Sequence, residues 1–450
     1  MNLRVDKIVK SSGLLLTSDM VTLLKLAFPI IGSSLLQMAY NLTDMIWVGR
    51  LGSGAVAAVG TAGFLLHLGW AMVSIIVMGA NIKVSHSVGA EKQYSWGRFA
   101  TTAVWGTVFL ALMFALFLFQ FSEGLIGFFQ LQDAEVEQQA QSYLLISAGG
   151  VIFSFMSLLF AAILNAHGLT RISFRAVATG TAINLLLDPI LIFGVGLGVN
   201  GAAIATIIAQ LSAIAYFIWY IKKSKDSFFE GVWPSIYRLK NLFRIGAPVS
   251  LQRISFTMIS IVVARIIAEW GPGAIAVQKI GVQIEAITYM FTGGLMQAMS
   301  IMVGQNYGAG NLKSVHRGYQ AGLKIAMGIG AVSSILFFTI PGLLFSVFLP
   351  EAESIEMGKD YLIILGLSQV FMCIEMITAG AYNGLGKTKV PAAVSVILTS
   401  LRIPLAYVLG MYTFLGLNGV WLSISVSSIL KGLVLFYLFY RTRQKLKKNS

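Results

Sequence analysis

Apolar runs long enough to cross a membrane follow one another along nearly the whole of this chain. A span needs about 20 predominantly apolar residues. Runs of that kind can be read near 22–48, 55–82, 99–121, 140–163, 173–194, 200–221, 244–268, 274–303, 319–346, 358–382, 391–412 and 418–440, six in each half. Their length and continuity predict helices and exclude a transmembrane barrel, whose strands alternate over short segments. Only 11 % of the residues are charged, against about 25 % in soluble domains. Mean hydropathy is +0.80, so lipid is the main solvent. The expected fold is an all-α integral membrane protein of twelve transmembrane helices.

The chain also repeats itself. A shift of 219 positions, without a gap, takes Lys25 to Arg244, Pro29 to Pro248, Gly52 to Gly271, Gly54 to Gly273, Ala55 to Ala274, Val84 to Val303, Gly89 to Gly308 and Ala90 to Ala309. A shift of 218 takes Gly168 to Gly386, Thr170 to Thr388 and Asn200-Gly201 to Asn418-Gly419. Six spans per repeat is an even number, so the second repeat enters with the orientation of the first. This predicts two pseudo-symmetric six-helix lobes related about an axis along the membrane normal. The polar segment 222–243, with Trp233-Pro234 inside it, is the expected cytoplasmic linker between an amino-terminal lobe (1–221) and a carboxy-terminal lobe with a basic tail (244–450).

Charge sorts the connections into two sets. Every second one is basic: Arg4, Lys7 and Lys10; Lys92 and Arg98; Arg171 and Arg175; the linker with Lys222, Lys223, Lys225, Arg238 and Lys240; Lys313 and Arg317; Lys387 and Lys389; and the tail from Arg441 to Lys448. The alternate set carries Glu123, Asp133, Glu135 and Glu137, then Glu351, Glu353, Glu356 and Asp360, with little basic beyond Arg50 and Lys359. Lys and Arg favour the cytoplasmic side, which puts both termini inside a multi-pass protein of the cell (plasma or inner) membrane. The net charge of +14 therefore reads as topology and lipid-headgroup contact, with no nucleic-acid site. The first apolar run is longer than a signal-peptide core and lacks a cleavage pattern, so the amino-terminal segment is expected to stay. The single cysteine, Cys373, excludes an intrachain disulfide and a multi-cysteine metal site.

In a duplicated scaffold, residues shared by both halves are expected to be structural, and residues kept by one half are candidates for chemistry. Asp44 shifts onto Val263, and Asp188 onto Ala406. A carboxylate within a transmembrane helix costs about 2.5–3.5 kcal/mol on insertion scales and marks a functional site by default. At 1.5 Å per residue, Asp44 lies roughly 33 Å along the first helix and Asp188 roughly 22 Å along the fifth. Gln37, Tyr40 and Asp44 share one helix face, as do Thr181, Asn184 and Asp188 on the fifth helix; Asn41 and Thr206 are nearby candidates. Asp44, Asp188, Asn184 and Thr206 make an oxygen-rich set able to hold a proton or Na+. The plain alternatives are that Asp188 ends a helix before Pro189 and that Asp44 caps one at the outer interface. Pro29 and Pro248 fall inside predicted helices and mean a kink in each lobe, static or hinging.

The other intramembrane charges are Arg265 and Glu269, spaced to pair with each other, and Arg253, Lys279, Glu285, Glu375 and Arg402. These last five either neutralise one another or face a wet cavity, and Glu285, Glu375, Asn41 and Thr181 are candidates for substrate contact. His67, alone on an apolar face, reads as a packing residue. Gly384-Leu385-Gly386-Lys387-Thr388 ends like a phosphate-binding loop, but Ala381 stands where the pattern requires glycine. Transport would then draw on an ion gradient rather than ATP, with no cofactor.

Together, Pro29 with Gln37, Tyr40 and Asp44, the doubled Gly-x-Gly-Ala element at Gly52–Ala55 and Gly271–Ala274, Val88-Gly89-Ala90, and Asn184 to Pro189 with Asn200-Gly201-Ala202-Ala203 resemble the multidrug and toxic compound extrusion (MATE) transporters, especially their DinF-like branch. The resemblance implies efflux of amphiphilic, often cationic, drugs by a monomer that exchanges them for H+ or Na+ by alternating access, not an enzyme. It casts Asp44 as the proton-responsive acid with Gln37 and Tyr40 as its network, Asn184, Asp188 and Thr206 as partners of the cation site, and Pro29 as the hinge. The NorM-like branch carries cation-binding acids in its carboxy-terminal lobe; this chain has Phe256 and Met372 there. A flippase for lipid-linked precursors is the alternative, but it should need a denser intramembrane cluster than Arg253, Lys279 and Arg402.

Overall fold

Hydrocarbon supplies no partner for a backbone N–H or C=O, so each crossing has to close its hydrogen bonds within itself. The computed structural model describes residues 17–131, 133–224, 228–348 and 351–448, and they contain helices and no strand. Arg4, Lys7, Lys10 and Lys225 of the basic set lie outside the described residues. The first half consists of α1 (Ser18–Gly49), α2 (Ser53–Gly89), α3 (Gln93–Gly127), α4 (Ala134–Ala166), α5 (Thr170–Pro189) and α6 (Val199–Lys223). The second consists of α7 (Ile236–Ile267), α8 (Pro272–Gly308), α9 (Leu312–Thr339), the short α10 (Pro341–Ser346), α11 (Ala352–Gly366), α12 (Gln369–Gly384), α13 (Lys389–Ser400), α14 (Arg402–Met411) and α15 (Leu417–Lys448). Eleven of these stretches are long and apolar enough to cross a membrane, and the bent pair α11 and α12 makes the twelfth.

Two crossings differ from the simple runs read in the sequence. The run at 358–382 is broken, and α11 meets α12 at 50°. The fifth crossing does not stop at Asp188. It passes through Pro189, which donates no backbone hydrogen bond, and closes in a π-type turn, Ile190–Gly194. Asp188 is thus an interior helix residue.

The chain forms two compact units, Gly32–Ser250 and, flanking it in sequence, the residues up to Ile31 with those from Leu251 onward. These boundaries differ from the linker at 222–243: α7 begins at Ile236, inside that segment. Leu242, on the first turns of α7, is buried with Ile76, Ala80 and Ile163 of the amino-terminal unit. On α1, Leu23, Ala27 and Ile31 are buried with Leu295, Ala298 and Met302 of the carboxy-terminal unit. The two boundaries are 219 residues apart, as the repeat requires, and each falls two residues after its proline.

Close approach of α7 to α2 within the amino-terminal unit depends on missing side chains. A Cβ at Gly246 would overlap the Ile75 carbonyl, and one at Gly79 would overlap the Leu242 backbone. Small residues let membrane helices gain dispersion energy at short range. Gly246→Val should therefore cost about 1–3 kcal/mol by overpacking and lower the melting temperature in detergent. An unchanged melting temperature would show that this crossing has room to spare.

Candidate functional site

Four helices of the amino-terminal unit bring the sequence-predicted polar faces together. From α1 and α6, Tyr40 Oη and Thr206 Oγ1 share a 2.8 Å hydrogen bond. On α5, one turn apart, Asn184 Nδ2 donates to Asp188 Oδ1 at 3.1 Å. Gln37 Nε2 donates to Asn41 Oδ1 at 3.3 Å along α1. Asp44 and Asp188 interact electrostatically with each other and with Tyr143 of α4. Asp188 is fully buried. Its Oδ2, together with Oδ1 of Asp44, is buried without a hydrogen-bond partner among the described residues.

Two cavities meet at Tyr40 and Trp70. The larger, about 440 Å³, has Asn41, Asp44, Tyr143, Ser147 and Thr206 on its polar wall, with Met45, Phe64, His67 and Trp70 completing it. The smaller, about 80 Å³, is lined by Gln37, Thr181 and Asn184. Asp188 lines neither and is linked to the smaller one through Asn184. Two open carboxylate oxygens beside an amide and a hydroxyl form a hard-oxygen donor set, the kind that suits a proton or an alkali cation rather than a thiophilic metal. His67 turns its Nδ1 to Gly63 O at 3.0 Å and forms part of the cavity wall rather than only a packed interior.

The repeat supplies an internal control. Val263 and Ala406, the counterparts of Asp44 and Asp188, lie in one buried apolar cluster with Ile259, Ile267 and Val420. The scaffold therefore brings these two positions together in both units, and only the amino-terminal unit puts acids there. Tyr143 and Ser147 were not singled out in the sequence. Their spacing of four on α4 was the available signal, easily passed over in a search for carboxylates.

The carboxy-terminal unit handles its charges differently. Glu375 Oε2 is 2.9 Å from Lys431 Nζ, and Ser395 Oγ donates to its Oε1 at 2.9 Å. Gln369 Nε2 donates to Glu285 Oε1 at 2.8 Å, and Tyr361 Oη to Oε2 at 3.3 Å. Arg402 Nε and Nη2 donate to Ser427 Oγ at 2.6 Å and Ser428 Oγ at 3.0 Å. Glu285, Glu375, Arg402 and Lys431 are all buried. Every oxygen of the two glutamates weighed as substrate contacts is thus engaged by its own unit. Lys431, which completes this network, was missed although it is a lone cation inside an apolar run. Arg265 and Glu269 pair at 2.8 Å, as their spacing predicted. Phe256 and Met372 stand as read, with the Arg402 guanidinium 5.8 Å from the Phe256 ring.

A single family model, MatE, matches this chain twice, over residues 29–190 and again over 248–408, one match in each half of the internal repeat. The chain belongs to the MatE family. It is accordingly a multi-pass membrane transporter. Among curated relatives it is 28 % identical to the probable multidrug resistance protein NorM of Thermotoga maritima over 429 residues, 92 % of this chain and 91 % of that one. It is 25 % identical to the multidrug export protein MepA of Staphylococcus aureus over 437 residues, 94 % of each. Among solved structures, the bent form of the Vibrio cholerae MATE transporter VcmN superposes with a TM-score of 0.89 at 21 % identity, covering 95 % of this chain and 98 % of that one. That likeness is one of fold.

Removing one partner of a buried ion pair leaves the other charge without compensation, at about 3–5 kcal/mol. Lys431→Met in this MatE protein should therefore lower its melting temperature in detergent markedly. Adding Glu375→Gln should restore most of the loss. A single variant as stable as the parent would show that Glu375 is not charged in the folded protein.

Proposed function

We propose that this protein is a secondary multidrug exporter that exchanges amphiphilic or cationic compounds for H+, with Na+ as the alternative coupling ion. The observation that carries this reading is a pair of buried carboxylate oxygens without a partner among the described residues, one on Asp44 in the wall of a 440 Å³ cavity with aromatic lining and one on Asp188 beside it. The names borne by the NorM and MepA relatives support multidrug export. In the proposal, Asp44 attracts a cationic substrate into the cavity while Trp70, Phe64 and Met45 take its apolar body. A proton or Na+ bound between Asp44 and Asp188 removes that attraction. Exchange then requires only that ion and drug bias one two-state transporter in opposite directions.

Gln37, Tyr40, Asn184 and Thr206 position the two acids, Asn41 and Thr181 extend the polar wall toward substrate, and Pro29 is the bend on which α1 moves. The two six-helix lobes expected at 1–221 and 244–450, divided as compact units after Ile31 and Ser250, are the bodies that alternate in this proposal, working as a monomer in the cell membrane with both termini cytoplasmic. The alternation of basic and acidic connections supports that orientation.

Reconstituted protein should drive dye exchange under an imposed pH gradient, and Asp44→Asn should reduce coupled exchange by an order of magnitude or more without changing the melting temperature. Full exchange by a folded Asp44→Asn protein would overturn the assignment. Exchange that follows a sodium gradient and ignores pH would make Na+ the coupling ion. Tyr40→Phe deletes one hydrogen bond, about 1 kcal/mol, and should weaken ion dependence several-fold while leaving dye binding intact.

A further inference from the structure

At the basic end of the amino-terminal unit, two arginines share one place with no acid paired to either among the described residues. Arg238, on the first turn of α7, sits close enough to Arg98, at the start of α3, for the two charges to repel. The approach is built in. Arg238 Nε donates to Thr102 Oγ1 at 3.2 Å, Thr102 Oγ1 in turn donates to Arg98 O at 2.8 Å, and Arg238 Nη2 reaches Trp233 O at 3.5 Å. Arg98 lies 3.4 Å from the Tyr94 ring centre, and its Nε is buried with no hydrogen-bond partner among the described residues.

The chain leading into α7 is fastened so that this pairing persists. Thr101 Oγ1 donates to Glu230 O at 2.8 Å and accepts from Glu230 N at 3.1 Å. Phe228 meets the His167 ring edge-on at 4.8 Å. Glu230 of this segment packs against Gly97. Yet neither Arg98 nor Arg238 takes part in an ion pair among the described residues. The same segment exposes Trp233, Ile236 and Tyr237 by 88 %, 81 % and 73 %. Aromatic and apolar side chains of this kind settle at the boundary between headgroups and acyl chains.

We propose that Arg98 and Arg238 form a binding site for the phosphate of an anionic phospholipid, with Trp233, Ile236 and Tyr237 set against its glycerol and upper acyl region. Guanidinium groups bind phosphate through paired, charge-assisted hydrogen bonds, and a phosphodiester between them would replace repulsion with two ion pairs. The exposed apolar group distinguishes a lipid from a free anion. The site serves any substrate and does not depend on the coupling mechanism.

The test is native mass spectrometry of the full-length detergent-solubilised protein titrated with phosphatidylglycerol, with phosphatidylcholine and inorganic phosphate as comparison ligands. The wild type should retain phosphatidylglycerol selectively, and Arg98→Gln with Arg238→Gln should weaken that binding about tenfold or more. The charge-keeping pair Arg98→Lys and Arg238→Lys should weaken it measurably while remaining folded, which keeps the test valid where the glutamine pair fails to fold. Lys222→Gln with Lys223→Gln removes the same charge elsewhere and should leave binding unchanged. Equal losses in the two glutamine pairs would overturn the proposal in favour of diffuse surface charge. Displacement of the lipid by equimolar inorganic phosphate would overturn it in favour of a free-anion site.

Discussion

A polar group carried into hydrocarbon must find its partner within the protein, and that requirement organises this molecule at every level. Applied to the backbone, it leaves only helices. Applied to side chains, it gives two different outcomes in two halves of common ancestry. In the carboxy-terminal unit each buried charge is answered: Glu375 by Lys431 and Ser395, Glu285 by Gln369 and Tyr361, Arg402 by Ser427 and Ser428. In the amino-terminal unit Asp188 receives one hydrogen bond, from Asn184, and a buried oxygen on each of Asp44 and Asp188 is without a partner among the described residues. A closed network resists an incoming ion because an existing contact must break first. An open pair of carboxylates invites one.

The repeat makes this contrast interpretable. Val263 and Ala406 occupy one apolar cluster, so the meeting of the first and fifth helices of a unit at these positions is a property of the duplicated scaffold. It needs no acid for its stability. The acids in the amino-terminal unit are therefore additions to a contact that packs well without them, which is the pattern of a site grafted on a fold. The same comparison separates Pro29 and Pro248, present in both halves, from the residues that carry the proposed ion chemistry.

Much of this was legible from spacing alone. Gln37, Tyr40 and Asp44 share a face because a helix returns to the same side every three to four residues, and Asn184 with Asp188 follows the same rule. What one helix contributes to a site on another leaves no such period. Tyr143 and Ser147 on α4, and Lys431 facing Glu375 across from α15, become visible only when helices are packed. The break between α11 and α12 was likewise hidden, since both halves are apolar and hydropathy does not register a bend of 50°. Pro189 looked like a stop, but the π-type turn after it carries the helix past the missing donor and keeps Asp188 inside. The lobe boundary at the linker came from composition, whereas the boundary of compact units follows side-chain volume. Leu242 and Leu23 are each buried with residues far from them in sequence, which no local charge count reveals.

Rigid packing and open chemistry are complementary in this arrangement. Gly246 against Ile75 and Gly79 against Leu242 hold α7 and α2 at a separation that side chains would forbid, so the amino-terminal unit can carry a cavity without collapsing around it. A cavity of 440 Å³ left in a loosely packed bundle would close, because each lining atom loses dispersion contacts. Kept open by close helix contacts elsewhere in the unit, it places an aromatic wall opposite Asp44, with Asp188 outside its lining. In the proposed exchange, an apolar body with one positive charge has both of its requirements met there, and so does the small ion that competes with it.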